Sequence, residues 1–85
     1  MSKFNYQEFK SAVDNLFVYM DDESNIELLE SYINGDYPEF TNEVLESVNQ
    51  YYNIDCLNMT NDSELTEIIT EAANNQLHNL KDIFN

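Results

Sequence analysis

The segment INGDYPEF, residues 33–40, contains the two residues of the chain that most strongly favour a break between helices. It holds the only glycine, Gly35, and the only proline, Pro38, among 85 residues. Glycine readily adopts the left-handed conformation that ends a helix, and proline is tolerated in the first turn of the helix that follows. We therefore predict that this segment is a turn, with a helix ending at Gly35 and another beginning around Pro38.

Apolar residues recur at helical spacing before this turn. Their positions predict a first helix that runs from about Asn5, its N-cap, to Met20. Ser24, with Glu27 three residues later, predicts a capping box that opens a second helix. The predicted core faces of these two helices consist of Phe9, Val13, Leu16, Phe17, Met20, Ile26, Leu29 and Ile33.

The same spacing continues after the turn. It predicts a third helix that ends near Tyr52 and a fourth, capped by Asp62 or Thr60, that runs to the C-terminus. Lys81 is placed near the end of the fourth helix, where a cation suits the helix dipole. The linker, residues 53–61, is apolar enough to lie over the core. The predicted core residues of this half are Phe40, Val44, Val48, Tyr51, Leu65, Ile69, Ala72, Leu80 and Ile83, with Leu45 and Tyr52 flanking.

These elements predict an all-α fold: a small single-domain bundle of about four helices with an acidic surface, spanning residues 1–85. The chain is too short for a second domain, and it shows no alternating strand pattern and no internal repeat. Hydrophobic residues make up 42% of the chain. That is more than a disordered acidic tail contains, so the chain should fold.

Charge restricts the partners of this protein. The chain has 17 Asp and Glu against three Lys and no Arg, a net charge of -14. Binding a phosphate backbone or an anionic membrane requires many basic residues, so we exclude both as direct partners. There is no apolar run of about 18 residues and no signal-peptide pattern. We therefore expect a cytoplasmic protein.

Few residues are suited to catalysis or to metal binding. The chain has one histidine, His78, and one cysteine, Cys56, and it has no glycine-rich phosphate loop. A calcium loop that starts at Asp21 would need a glycine at its sixth position and a glutamate at its twelfth, where Ile26 and Tyr32 stand. We predict a protein that is not an enzyme and that has no metal and no cofactor.

Three of the predicted helix regions each carry a row of glutamates spaced three and four residues apart, which places each row along one helix face. Like charges at this spacing repel by roughly 0.2–0.5 kcal/mol per pair, and no lysine stands at i+4 to offset this. The axial step of roughly 4.5–6 Å is of the same order as the charge spacing on a nucleic-acid strand. The rows are Glu23, Glu27 and Glu30; Glu39, Glu43 and Glu46; and Glu64, Glu67 and Glu71.

Charged rows also arise on any solvated helix, because a periodic core face leaves a periodic polar face. Ordinary solvated helices, however, mix charges of both signs. The chain also has six tyrosines, too many for a small core to bury completely, and exposed tyrosine suits an interface. We therefore predict that the three rows bind a partner, together with Asp21, Asp22 and Asp36.

The stretch ELTEIITEAANN, residues 64–75, followed by His78 and by residues 82–84, resembles a block of the phage Ocr family of antirestriction DNA mimics. An acid–Leu pair, an Ile, an Ala–Ala pair with a polar pair after it, a His and an Asp–Ile–Phe follow in the same order. The family's proline before the histidine is absent here. The resemblance implies a helical acidic protein that occupies the DNA groove of a restriction enzyme. It leaves open whether the protein is a dimer. The acidic positions that match are Glu64, Glu67, Glu71 and Asp82.

The leading hypothesis is an inhibitor from a phage or mobile element that mimics DNA in the host cytoplasm. Its partner would be a basic nucleic-acid-binding protein of the host, either a restriction enzyme or a CRISPR effector. Two alternatives stay open from the sequence. One is an immunity-type protein that neutralises a single basic toxin nuclease, and the other is a self-associating structural protein, for instance a homodimer.

Overall fold

The computed structural model describes residues 4–85, and that range contains four α-helices. Helix α1 spans Tyr6–Val18, α2 spans Ser24–Ile33, α3 spans Phe40–Tyr52 and α4 spans Ser63–Ile83. No β-strand occurs within the range described. The predicted all-α class and the predicted number of helices are confirmed.

Two helix starts match the caps predicted from the sequence. The Asn5 side chain accepts the backbone N–H of Glu8 at 3.0 Å at the start of α1. Asp62, and not Thr60, caps α4, where its Oδ1 accepts the backbone N–H of Glu64 at 2.9 Å. Each bond satisfies a backbone donor that the first turn of a helix leaves without an intrahelical partner.

The capping box predicted at Ser24 is wrong. Ser24 is the first residue of α2, and Glu23 before it makes no side-chain cap hydrogen bond. Asp22 takes the role instead, because its Oδ2 accepts both the Ser24 hydroxyl and the Ser24 backbone N–H, the latter at 3.0 Å. Both bonds lower the pKa of the Asp22 carboxyl, and the bond from the Ser24 hydroxyl has the larger effect.

The turn after α2 ends that helix as predicted. Gly35 has φ of +84°, in the left-handed region. Its N–H bonds to the carbonyl of Tyr32 at 3.1 Å, and the N–H of Asp36 bonds to the carbonyl of Ser31 at 2.8 Å. This pair of bonds is a Schellman motif, which satisfies carbonyls at the end of the helix.

Pro38 lies slightly outside the position predicted for it. Helix α3 begins at Phe40, and Pro38 belongs to the tight turn that precedes it, with its carbonyl accepting the N–H of Thr41 at 3.2 Å. The fixed φ of proline suits this turn as well as it suits a helical first turn. Pro38 therefore directs the chain into α3 without being part of that helix.

Helix α4 is the central element, because it contacts each of the other three helices, and α1 packs against α3 as well. At one end of α1 the Tyr6 hydroxyl donates to Asp62 at 2.8 Å, and beyond the other end the Gln76 amide donates to the carbonyl of Met20 at 2.8 Å. Helices α1 and α4 therefore run in the same direction. The principal dimensions are 48 × 22 × 18 Å.

The core consists of one cluster of side chains from all four helices and from the linker. Two predicted core residues are wrong: Tyr51 and Ile83 are both 68% exposed. The buried stripe of α3 continues in steps of four residues through Val48, which turns Tyr52 and not Tyr51 toward the core. Ile83 lies beyond Leu80, the last buried residue of α4.

The linker between α3 and α4 covers the core, as predicted. Ile54 and Cys56 are buried, and the Cys56 thiol donates to the carbonyl of Leu45 at 3.4 Å. Burial raises the pKa of this thiol. Leu57 points outward and is exposed. Two linker residues, Ile54 and Cys56, are therefore part of the hydrophobic core.

Candidate acidic interface

All 17 carboxylates of the chain lie within the described residues, and none of them is buried. Fifteen are exposed, and two, Glu30 and Asp62, are half-buried. Glu30 contacts Lys81, and Asp62 accepts the Tyr6 hydroxyl as well as backbone N–H groups of α4. The negative charge is therefore carried at the surface, and the two least exposed carboxylates have bonding partners.

The density of these carboxylates approaches that of nucleic acid. Seventeen carboxylates along a body 48 Å long give about one for every 3 Å. A B-form duplex carries one charge per roughly 1.7 Å of its axis, and one strand carries one per roughly 3.4 Å. The density of carboxylates along the body thus lies between the charge density of a single strand and that of a duplex, whereas the net charge of -14 corresponds to about one charge for every 3.4 Å, as on a single strand.

The row on α3, formed by Glu39, Glu43 and Glu46, is exposed throughout. Its carboxylates lie outside the buried stripe of the same helix, which includes Val44 and Val48. Among residues 4–85 no lysine approaches these carboxylates within salt-bridge distance. The positive end of the helix dipole stabilises carboxylates in the first turn only, so it does not account for Glu46. We call these three residues the α3 row.

Tyr37 holds one member of the α3 row in place. Its hydroxyl donates a hydrogen bond to the Glu43 carboxylate. This bond is the main reason that the pKa of Tyr37 is raised, with smaller contributions from desolvation and from the charges of Glu43 and Glu39. Tyr37 is itself positioned by Phe40, since the two ring centroids are 5.8 Å apart. The sequence spacing did not reveal this contact, because it joins the turn to the helix.

The row on α2 differs from the α3 row, although its spacing is the same. Glu23 and Glu27 are exposed, whereas Glu30 forms an ion pair with Lys81 of α4 at 2.9 Å. Both side chains of this pair are about half exposed, at 44% and 48%, so water screens the interaction. One of the three charges in the row therefore faces a cation of the same molecule.

The row on α4 borders a shallow groove between α4 and α1. Glu64, Glu67 and Glu71 are exposed there, and Lys10 of α1 lies on the same groove. Lys10 pairs with Asp14 at 3.0 Å, and its pKa is raised by that bond, by the charge of Asp14 and, to a smaller extent, by Glu71. This row therefore also lies beside a lysine of the protein.

The other predicted partner-binding residues lie on connecting segments. Asp21 and Asp22 belong to the connection between α1 and α2, and Asp36 belongs to the turn between α2 and α3. All three are exposed, but Asp22 uses its carboxylate to cap α2. The twelve predicted residues are therefore distributed over several elements and do not form one continuous row.

Few other features of the described chain suggest chemistry. His78 is exposed on α4. Within residues 4–85, no group of His, Cys, Asp and Glu side chains is arranged to hold a metal ion. None of the four helices described has both the length and the apolar character needed to cross a bilayer.

The fold and this surface define a small all-α protein that displays helical carboxylate rows. Among the described residues, neither the α3 row nor the row on α4 forms a salt bridge with a lysine, but the row on α4 borders a groove that Lys10 also lines. No protein-family model, curated protein sequence or solved structure matches the chain.

Proposed function

We propose that this protein is an inhibitor that mimics DNA. Its acidic helical surface would occupy the nucleic-acid groove of a basic host defence nuclease, a restriction enzyme or a CRISPR effector, and so exclude the nucleic acid. The source would be a phage or another mobile element, and the site of action would be the host cytoplasm. The inhibitor would act by binding alone and would catalyse no reaction.

The observation that supports this proposal best is the α3 row. It has three exposed carboxylates at near-regular spacing and no described lysine within salt-bridge distance. Repulsion within such a row destabilises the helix slightly, and the helix dipole offsets this only in the first turn. The charges are therefore available to the arginines and lysines of a nucleic-acid groove, which would form charge-assisted hydrogen bonds with them.

The net charge supports the same function at longer range. A net charge of -14 on a small body attracts a basic groove and speeds association. Binding of this kind weakens as salt rises, because the screening distance falls to about 8 Å at physiological ionic strength. A steep decrease of affinity with salt is therefore an expected property of the complex.

The test is capture of host proteins by the tagged inhibitor at low salt, with stepwise salt elution and a parallel sample that contains excess duplex DNA. We expect recovery of a nuclease that the duplex displaces. Cleavage of DNA by the recovered nuclease should then be inhibited by the purified protein, and added duplex should relieve the inhibition. A recovered nuclease that still cleaves DNA at saturating inhibitor would contradict the proposal.

A second candidate function, an immunity-type protein, is favoured by two exposed aromatic side chains. Tyr19 is 81% exposed and Tyr51 is 68% exposed. Tyrosine often anchors an interface with one specific partner. Such a protein would retain one basic toxin nuclease whether or not DNA is present, and Tyr19→Ala with Tyr51→Ala would weaken that complex. If the tagged protein recovered only further copies of itself, the result would instead favour the self-associating alternative.

A further inference from the structure

A groove between α1 and α3 is lined mainly by apolar side chains. Its walls include Leu16 of α1, Met20 just after the end of α1, and Phe40 and Val44 of α3. Leu16 and Met20 are only half-buried, so apolar surface remains open to an external group. Glu43 of the α3 row lies on the border of the same groove.

The size of this groove suits one side chain. Its volume is about 190 Å³. That is roughly the volume of six water molecules, and it is below the range of roughly 300–1,000 Å³ found for small-molecule sites. Met20 adds adaptability, because the flexible thioether chain of methionine repacks around different contacts.

The charge at the border defines which side chain fits. The Glu43 carboxylate accepts the Tyr37 hydroxyl, which fixes its position beside the apolar walls. An anionic group would be repelled by Glu43 and by the net charge of -14. Arginine and lysine combine an aliphatic stem with a cationic head, and they bury the stem along apolar surface while the head stays at its edge.

We infer that this groove receives one arginine or lysine of the partner protein, with its stem on Leu16 and Met20 and its head on Glu43. The inference rests on the proposed function and adds the chemistry by which the partner is held. A second copy of this chain is a poor occupant, because it carries the same net charge of -14 and has only three lysines, of which Lys10 and Lys81 pair with Asp14 and Glu30. The charge of the groove therefore favours a different, basic protein.

The experiment uses three cationic hexapeptides as probes at low ionic strength: hexa-arginine, hexalysine and hexa-2,4-diaminobutyrate. They carry the same number of charges, but the diaminobutyrate stem is two methylenes shorter than that of lysine. Methyl and amide NMR spectra of the protein are recorded during each titration. We expect the methyl signals of Leu16, Met20 and Val44 to shift until saturation. We also expect the diaminobutyrate peptide to bind up to about 15-fold more weakly than hexalysine, because each buried methylene is worth roughly a fourfold change in affinity.

Two matched variants test whether the groove causes the preference for a long stem. Met20→Ser should reduce the difference between hexalysine and the diaminobutyrate peptide. Leu57→Ser alters an exposed apolar residue outside the groove and should leave that difference unchanged. Circular dichroism of both variants should show the helix content of the parent protein, which separates loss of the groove from loss of the fold.

The possible failures are distinguishable. Equal affinity for the three peptides, with shifts confined to the amides of the α3 row, would overturn the groove inference and leave the proposed function in place. The absence of binding by any of the peptides at low salt would count against both.

Discussion

The acidic segments around α2 and α3 have the same glutamate spacing but different environments. In the first segment Asp22 caps α2, and Glu30 forms an ion pair with Lys81. In the second the α3 row contacts no described lysine, and a single tyrosine hydroxyl bonds to Glu43. The fold therefore uses Asp22 as a cap and Glu30 in an ion pair, whereas in the α3 row it uses only Glu43, as the acceptor of the Tyr37 hydroxyl, and pairs none of the three with a described lysine. Equal spacing in sequence does not imply equal availability to a partner.

The largest expected effect is on partner binding. Replacing Glu39, Glu43 and Glu46 together by Gln should weaken binding to the target nuclease at low salt by at least about tenfold, because three charge-assisted contacts are lost. The matched variant replaces Glu23, Glu27 and Glu30 by Gln and removes the same number of charges, but its effect should be smaller. Titration calorimetry at two salt concentrations would measure both. Equal losses of affinity in the two variants would show that only net charge matters and would remove the distinction between the rows.

The second prediction concerns the cap of α2. Asp22→Ala should lower the free energy of unfolding at pH 7, because α2 loses the side-chain acceptor that caps its first turn. Because the Asp22 pKa is lowered below its ordinary value of 3.8 in the folded state, this contribution is present above that value and disappears as the pH falls through the lowered pKa.

Chemical denaturation at pH 7 and in strong acid would measure the effect of Asp22→Ala. The neighbouring exposed Asp21→Ala serves as the control and should change stability little at either pH. An equal effect of the two substitutions at pH 7 would show that Asp22 acts through its charge alone and not as a cap.

The third prediction tests the ion pair between α2 and α4. Lys81→Gln should lower the free energy of unfolding by less than about 1 kcal/mol, because both partners are half exposed and screened. It should also leave Glu30 without its cation, which makes the α2 row resemble the α3 row. We therefore expect a modest gain in affinity for the target nuclease, seen in the same calorimetric assay. No gain would indicate that α2 lies outside the interface.

The smallest effect is the titration of Tyr37. Glu43→Gln should lower the Tyr37 pKa toward its ordinary value of 10.0, since the bond to Glu43 is the main cause of its increase. The bond stabilises the fold below pH 10, and its contribution is lost as the pH rises through the raised pKa. Ultraviolet titration of the tyrosines would detect the change, with Glu27→Gln of the α2 row as the control. A Tyr37 titration that does not respond to Glu43→Gln would contradict the contact.

Capping residues and apolar spacing predicted the helices well. They failed where two nearby residues are both suited to the same role. The caps at Asn5 and Asp62 were found because each lies directly before a periodic apolar run. Asp22 and Ser24 are both good capping residues only two positions apart, and the spacing alone favoured the wrong one. Tyr51 was placed in the core for a similar reason, since its neighbour Tyr52 packs there.

The candidate interface was predictable in composition but not in arrangement. The excess of carboxylates, their rows and their exposure all follow from residue types and helical period. The contacts Tyr37–Glu43 and Glu30–Lys81 do not, because each joins residues from different elements. A helical pattern contains no information on which elements become neighbours.

The order of residues alone determines that this chain forms helices, where most of them begin and end, and that its surface is acidic. These properties depend on interactions within a few residues, such as caps, helical periodicity and the glycine at the end of α2. Only the tertiary structure decides that Lys81 reaches the α2 row, that Lys10 lies beside the α4 row, and that the α3 row has no such neighbour among the described residues. The reason is that side chains far apart in sequence meet only after the helices pack around α4.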